Sequence, residues 1–235
     1  TMSAFGQPFT PAEIMIDGVG LSTVINDLQT IVAAQQLYID ELQQYISVSN
    51  ETVLITGANL QVVSGGGSTD ATVNGTGNII IGYDEDNGDD KSGSHNLVVG
   101  KRHSYTAFGG IVVGYDHTLS GAWGGVLGGA GNTASGFGST ISGGQYNSAT
   151  NTYCSVLGGY TNVASGITAT VSGGQYNSAS GNQSSVSGGA SNTASGNNSS
   201  VSGGYLNSAS GNYSSVSGDA SNTFLDNSAD GNTID

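Results

Sequence analysis

A fifteen-residue period runs through the second half of the chain and limits what it can fold into. The unit Val171-Ser-Gly-Gly-Gln-Tyr-Asn177-Ser-Ala179-Ser-Gly181 returns as Val186-Ser-Gly-Gly-Ala-Ser-Asn192-Thr-Ala194-Ser-Gly196, then again from Val201 and Val216. Traced backwards, β-branched residues stand at Val126, Ile141, Val156, Val171, Val186, Val201 and Val216. Asparagines keep step at Asn132, Asn147, Asn162, Asn177, Asn192, Asn207 and Asn222, and alanines at Ala134, Ala149, Ala164, Ala179, Ala194 and Ala209. A flexible Gly/Ser linker has no reason to hold such columns in register. A fixed period is the mark of a solenoid in which each repeat is one turn.

Fifteen residues are too few for a helical hairpin and suit one turn of a parallel β-solenoid. Gly188-Gly189 and Gly196 mark the corners, where positive φ is expected. Ser185-Val186-Ser187 and Thr193-Ala194-Ser195 alternate polar and apolar, as half-buried strands do. Stacking at about 4.8 Å would turn the Val, Ala and Asn positions into ladders. An Asn carboxamide can bond its neighbours through both ends. His103 and His117 fall in the Asn column, which makes them members of a polar ladder with Asn132 and its successors. One such turn buries little apolar surface against the cost of ordering its backbone. The thin core therefore needs cover from outside, and association of copies along the solenoid axis is the expected remedy.

Composition narrows the function classes. The 235 residues include 40 glycines, 2 prolines and only 9% charged residues, and the net charge is −14. Lys91, Lys101 and Arg102 are the only Lys and Arg. That argues against nucleic acid and against insertion in or binding to anionic membranes, which need clustered cations. Between Thr118 and Gly218 there is no Asp, Glu, Lys or Arg at all. A single cysteine, Cys154, excludes an intrachain disulfide and shares a column with Ser184, Ser199 and Ser214. There is no secretory signal and no membrane-spanning apolar run, and the sequence reads as a piece of something longer. No Ser–His–carboxylate, Cys–His or metal motif has a usable spacing, so the expectation is a non-enzyme without cofactor or metal.

Five segments follow in order. Residues 1–20, with Pro8 and Pro11, read as an irregular lead-in. Over 21–48, Ile25, Leu28, Val32, Gln35, Ile39, Leu42 and Ile46 are spaced three, four, three, four, which predicts a coiled-coil shaft. Residues 49–75 read as a helix-to-sheet transition, with strands at Val53–Thr56 and Asn59–Val63 separated by Gly57-Ala58. The β-roll itself is expected over 76–225, its early turns starting at Ile79, Leu97, Ile111 and Val126. A polar tail occupies 226–235, where Asp226, Asn227, Asp230 and Asp235 follow Asp219 and Phe224 and would cap the stack. An acidic insertion, Asp84 to Asp90, is rich enough in oxygen for calcium but lacks EF-hand spacing, and reads as a solvated loop.

The scarce aromatics gather at two corners. Phe108, Trp123, Phe137, Tyr153 and Tyr213 mark one, and Tyr115, Tyr146, Tyr160, Tyr176 and Tyr205 the other. Rings beside Asn and Ser offer an apolar face with adaptable hydrogen bonds, so these ten are the candidate ligand-binding residues for sugars or protein surfaces.

The string Ala-Ser-Gly-x-x-Ser-Ser-Val-Ser-Gly-Gly, at Ala179 to Gly189 and Ala194 to Gly204, resembles the head repeats of YadA-like trimeric autotransporter adhesins, over roughly residues 76–225. The resemblance implies a left-handed parallel β-roll, three of which pack about a three-fold axis, with coiled coils extending the fibre. The heptad residues alone lean toward a parallel dimer, and the resemblance moves the expectation to a homotrimer. The chain departs from that family in its fifteen-residue unit and in placing the coiled coil first, and similar rolls are used in phage-like and predatory-bacterial surface fibres. The expected protein is thus an extracellular homotrimeric fibre or adhesin head whose partners are its own copies and a host or prey surface glycan or protein. The alternatives are a structural spacer carrying a separate tip and an ice-binding solenoid, for which a flat Thr-x-Thr ladder is missing.

Overall fold

A computed structural model describes residues 15–16, 19–224 and 233–234 of the chain. Two units are formed, Thr1–Gln61 and Val62–Asp235. In the first, Met15–Ile16 pairs antiparallel with Val19–Gly20, and a single α-helix follows over Leu21–Gln43. The helix is rich in Leu, Gln and Ile, and none of its residues is buried. Its apolar stripe, Ile25, Leu28, Val32, Ile39 and Leu42, faces solvent.

The helix stops short of the expected shaft. Tyr45 donates its N–H to the Leu42 carbonyl, and the chain then folds back, Ile46–Ser49 pairing antiparallel with Thr52–Ile55. Ile46, expected as the last heptad residue, is instead a strand residue opposite Ile55. The reversal uses Asn50 and Glu51 at φ 49° and 62°, a two-residue turn of the type whose twist suits a hairpin. The strand expected at Asn59–Val63 is irregular, because the Val53–Ile55 segment finds its partner upstream rather than downstream.

The second unit is a parallel β-solenoid. Its strands form one sheet of eleven and one of nine, so about nine complete turns are stacked. Each strand pairs with its equivalent one turn on: Ser185–Val186 with Ser200–Val201, and Thr193–Ala194 with Ser208–Ala209. The eighteen- and fourteen-residue steps are absorbed without loss of register, Ile80 pairing with Val98 and Val98 with Val112. At the far end Thr233–Ile234 pairs with Ser215–Val216, so the β-branched column is resumed within the segment read as a polar tail. Asp226, Asn227, Asp230 and Asp235 lie outside the described residues.

Between the sheets the core is two columns wide. Val98, Val112, Val126, Ile141, Val156, Val171, Val186, Val201 and Val216 project from one sheet and are fully buried. Ala134, Ala149, Ala164, Ala179, Ala194 and Ala209 meet them from the other. Tyr105 and Leu119 open the alanine column, which makes the first turns thicker.

The corner glycines have two different causes. Gly189 takes φ 79°, and a Cβ there would also come within 2.2 Å of the Gly204 carbonyl oxygen. Gly196 needs no positive φ; a Cβ on it would lie 2.0 Å from the Gly211 carbonyl oxygen of the next turn. Close stacking of backbone, rather than the dihedral expected there, excludes a side chain at Gly196. The left-handed conformations of these corners fall partly on other residues, Ser191 at φ 58° and Asn198 at φ 56°.

This register makes a direct prediction. Val186 is fully buried whereas its neighbour Ser187 is exposed. Val186→Asp places an unpaired charge between the sheets and should lower stability by more than about 3 kcal/mol, while Ser187→Asp should stay within about 1 kcal/mol. Thermal unfolding of both variants checks this, and equal losses would overturn the alternation.

Candidate functional site

Inside one corner of the solenoid runs a continuous polar ladder. The Asn147 backbone N–H donates to the Asn132 side-chain oxygen at 2.8 Å, and the same bond recurs from Asn162, Asn177, Asn192, Asn207 and Asn222 to the asparagine one turn earlier. From Asn132 through Asn192 each side-chain NH2 donates twice; that of Asn177 reaches the Gly173 carbonyl at 2.9 Å and the Gly189 carbonyl of the next turn at 3.0 Å. From Asn132 through Asn207 the carboxamides are essentially inaccessible to solvent. They bond to backbone, not to each other.

His103 and His117 begin the same column. His117 Nδ1 accepts the Asn132 N–H at 3.0 Å, and His103 Nδ1 accepts the His117 N–H at 3.2 Å. The rings stack with centroids 5.3 Å apart and planes 11° from parallel. These bonds require neutral imidazoles with the proton on Nε2, and His103 Nε2 accordingly lies 3.2 Å from the Val99 carbonyl. Burial lowers the affinity of His103 for a proton. Burial, and then the neighbouring His103, bring His117 down from its ordinary 6.5 to about 4. The two histidines are structural rungs and face no cleft.

The first aromatic corner is built on glycine. Trp123 lies against Gly109 of the preceding turn so closely that a Cβ there would be 2.6 Å from the indole ring, and Tyr153 lies against Gly138 in the same way. Phe108 meets Trp123 edge to face at 5.4 Å, and Phe137 meets Tyr153 at 5.6 Å. Trp123, Phe137, Tyr153 and Tyr213 are all exposed, while Phe108 is half-buried. Ile167, which composition gave no reason to single out, continues the apolar strip and is exposed as well. Beyond it the column turns polar: Ile167, Asn182 and Asn197 donate their N–H groups to the side chains of Asn182, Asn197 and Asn212, at 3.0 to 3.1 Å.

At the second corner Tyr146, Tyr160 and Tyr176 form an edge-to-face run with centroid spacings of 6.0 and 5.5 Å. Tyr205 is exposed further along. Tyr115 stands apart, because Arg102 donates to its hydroxyl at 2.7 Å and Lys101 sits 5.9 Å over its ring. Two of the three Lys and Arg residues are therefore engaged with this one ring. The ten aromatics thus fall at two separate corners, with Tyr213 set apart from the rest of the first by the polar turns of Asn182 and Asn197.

The acidic loop is less solvated than its composition implies. Asp84 Oδ1 is 3.2 Å from Lys91 Nζ, and Tyr105 donates to Asp84 Oδ2 at 2.9 Å from inside the roll. Asp84 is therefore an anchor that ties the loop to the solenoid, and this corrects its reading as part of a solvated bulge. Asp86 accepts the N–H groups of Gly88 and Asp89, both at 2.8 Å, which holds its carboxyl below the ordinary carboxylate range. His95 clamps another loop, accepting the Ser64 N–H at 2.9 Å through Nε2 and pairing Nδ1 with the Thr69 carbonyl. Cys154 is buried and its thiol is pushed up by that burial. Hydroxyls flank the alanine column, as in Thr133-Ala134-Ser135 and Thr193-Ala194-Ser195, but Val163 interrupts them, and the Thr-x-Thr pairs Thr150-Asn151-Thr152 and Thr168-Ala169-Thr170 are not repeated in the turns above and below, so they build no ladder.

Among the described residues no helix is long and apolar enough to cross a membrane. Among them, too, no group of three or more His, Cys, Asp or Glu could hold a metal ion. No protein-family model matches the chain, and no curated protein sequence matches it.

The histidine rungs set a pH dependence. The unfolded chain takes up protons near the ordinary 6.5, whereas the folded His117 resists them down to about 4. Stability should therefore be flat above about pH 6.5 and fall as the pH drops toward 4. Replacing both, His103→Asn and His117→Asn, installs the ladder's own residue and should flatten the melting-temperature profile between pH 6.5 and 5. An unchanged slope would remove the histidines as its cause.

Proposed function

We propose that this chain is part of a homotrimeric extracellular fibre whose solenoid is an adhesin-like head that attaches to a glycan or protein on another surface. The observation that carries the reading is the pair of corners with exposed aromatic rings, most of which lie in the stretch free of charge from Thr118 to Gly218. Half-exposed rings held at fixed spacing are an apolar cost to a soluble protein unless they meet a partner. Weak contacts of this kind become effective when three copies present them together.

Three features support the trimer. The Leu21–Gln43 helix carries an apolar stripe that no described residue of its own chain covers, which fits a coiled-coil shaft. The outer face of the eleven-stranded sheet is apolar in its first rungs, at Ile79, Ile81, Ile111 and Leu127, and mostly hydroxyl-bearing after them. The repeats resemble YadA-like heads, which brings with it a left-handed roll and three-fold packing. The head is non-catalytic in this reading and needs no cofactor.

A second reading has its own support. The edge-to-face pairs and glycine contacts also brace the corners, as a spacer that only holds a distant tip would require. One comparison separates the two. Light scattering of the chain should give three times its own mass; a folded monomer would sink the trimer. Trp123→Asn together with Tyr153→Asn puts at both sites the residue that the same corner column carries at Asn198, also at positive φ. The double variant should keep the melting temperature within a few degrees and lose attachment to cells. A collapse in stability would make the rings braces, and unchanged attachment would favour the spacer.

A further inference from the structure

We infer that the Trp123–Tyr153 corner is a two-platform subsite for an extended, uncharged β-1,4-linked polysaccharide; this rests on the attachment reading and narrows its ligand. The corner does not repeat every turn but every second one: Phe108-Gly109, Ala122-Trp123, Phe137-Gly138, Thr152-Tyr153. The two halves are built alike. Trp123 and Tyr153 take φ 59° and 54°, a left-handed conformation that is strained for a large side chain. Their N–H groups donate to the carbonyls of Phe108 and Phe137 at 3.1 and 2.8 Å. Each ring rests on the glycine of the preceding turn and is braced edge to face by the phenylalanine beside that glycine. Each is still about half open, Trp123 at 48% and Tyr153 at 59%.

Two rungs separate the platforms, which is about 10 Å at the spacing of hydrogen-bonded strands. In a β-1,4-linked hexopyranose chain each sugar is turned over relative to its neighbour, so the same apolar C–H face recurs at every second unit. That repeat has the length of two rungs. Where the units are glucose or N-acetylglucosamine the ring substituents are all equatorial, leaving flat C–H faces that stack on aromatic rings. An α-1,4-linked chain coils, and its faces do not fall in line with a straight column. The charge-free stretch from Thr118 to Gly218 offers nothing to pair with a uronate or sulfate. Fixed rings with few free torsions also lose little entropy on binding.

Trp123 is the only tryptophan in the chain, so its fluorescence reports this corner alone. The intact protein is titrated with cellohexaose, the hexamer of β-1,4-linked N-acetylglucosamine, maltohexaose and cellobiose. The expected result is a shift of Trp123 emission with either β-1,4 hexamer, at least about tenfold tighter than with cellobiose because the longer chain spans both platforms. Tyr153→Asn should remove that advantage and leave the cellobiose response in place. Tyr83→Asn, at an exposed ring outside both aromatic corners, should change neither, and circular dichroism confirms that both variants fold. An equal response to maltohexaose, or a Tyr153→Asn variant that binds the hexamers as before, would overturn the subsite. If no sugar moves the emission while the protein still attaches to cells, the subsite fails and the attachment reading stands. If attachment is absent as well, both fail.

Discussion

Backbone-to-carboxamide hydrogen bonds in the buried asparagine column are the interaction on which the rest of the solenoid depends. Most strands are only two residues long, too short to fix register by their own ladders. The valines and alanines are alike from turn to turn and would tolerate a slip. An asparagine that accepts one N–H from the next turn and donates to carbonyls of its own turn and the next leaves no such freedom. A slipped turn would bury unpaired amides, which costs more than the lost packing of one small side chain. With the register fixed in this way, the side chains at the corners are fixed too, and the aromatic strips follow.

Most of the solenoid was legible because its signals are local and repeated. Val186 and Ala194 sit in alternating patterns, and Asn192 recurs at one fixed distance from both, so the columns could be read without knowing the path between them. What escaped reading depends on which backbone lies next to which. Gly196 was legible as a corner, but its real constraint is the Gly211 carbonyl one turn away. Asp84 looked like one acid among five, and only the fold shows Tyr105 and Lys91 reaching it. The helix end was missed for another reason. Ile46 continues the heptad, but it pairs with Ile55 across a reversal made by Asn50 and Glu51, with no glycine to announce it. The Phe-Gly pairs beneath Trp123 and Tyr153 were visible in the sequence, but they recur every second turn, which a search for a fifteen-residue unit passes over.

The outside of the roll divides by chemistry along its length. Charged groups are confined to the first turns and the end, with Lys101, Arg102 and Tyr115 drawn into one cluster near the start. The middle relies on hydroxyls and amides for solubility. Such a surface repels neither another copy of itself nor a neutral partner, and its contacts should respond little to salt. The same region holds the aromatic corners, so the parts most suited to contact are also the least electrostatically selective.

The two-turn rhythm at the Trp123 corner bears on how a chain like this can change over generations. Internal repeats invite loss or gain of whole units by unequal recombination, and the asparagine ladder would reseal after any such event, since every turn offers the same bonds above and below. Stability would hardly notice an odd turn more or less. The corner would notice, because one turn alone puts a Trp or Tyr ring where a Gly bed belongs. Only changes in steps of thirty residues keep both rhythms in phase, so length can drift freely in the asparagine-rich turns after Asn182 but only in paired steps between Phe108 and Tyr153.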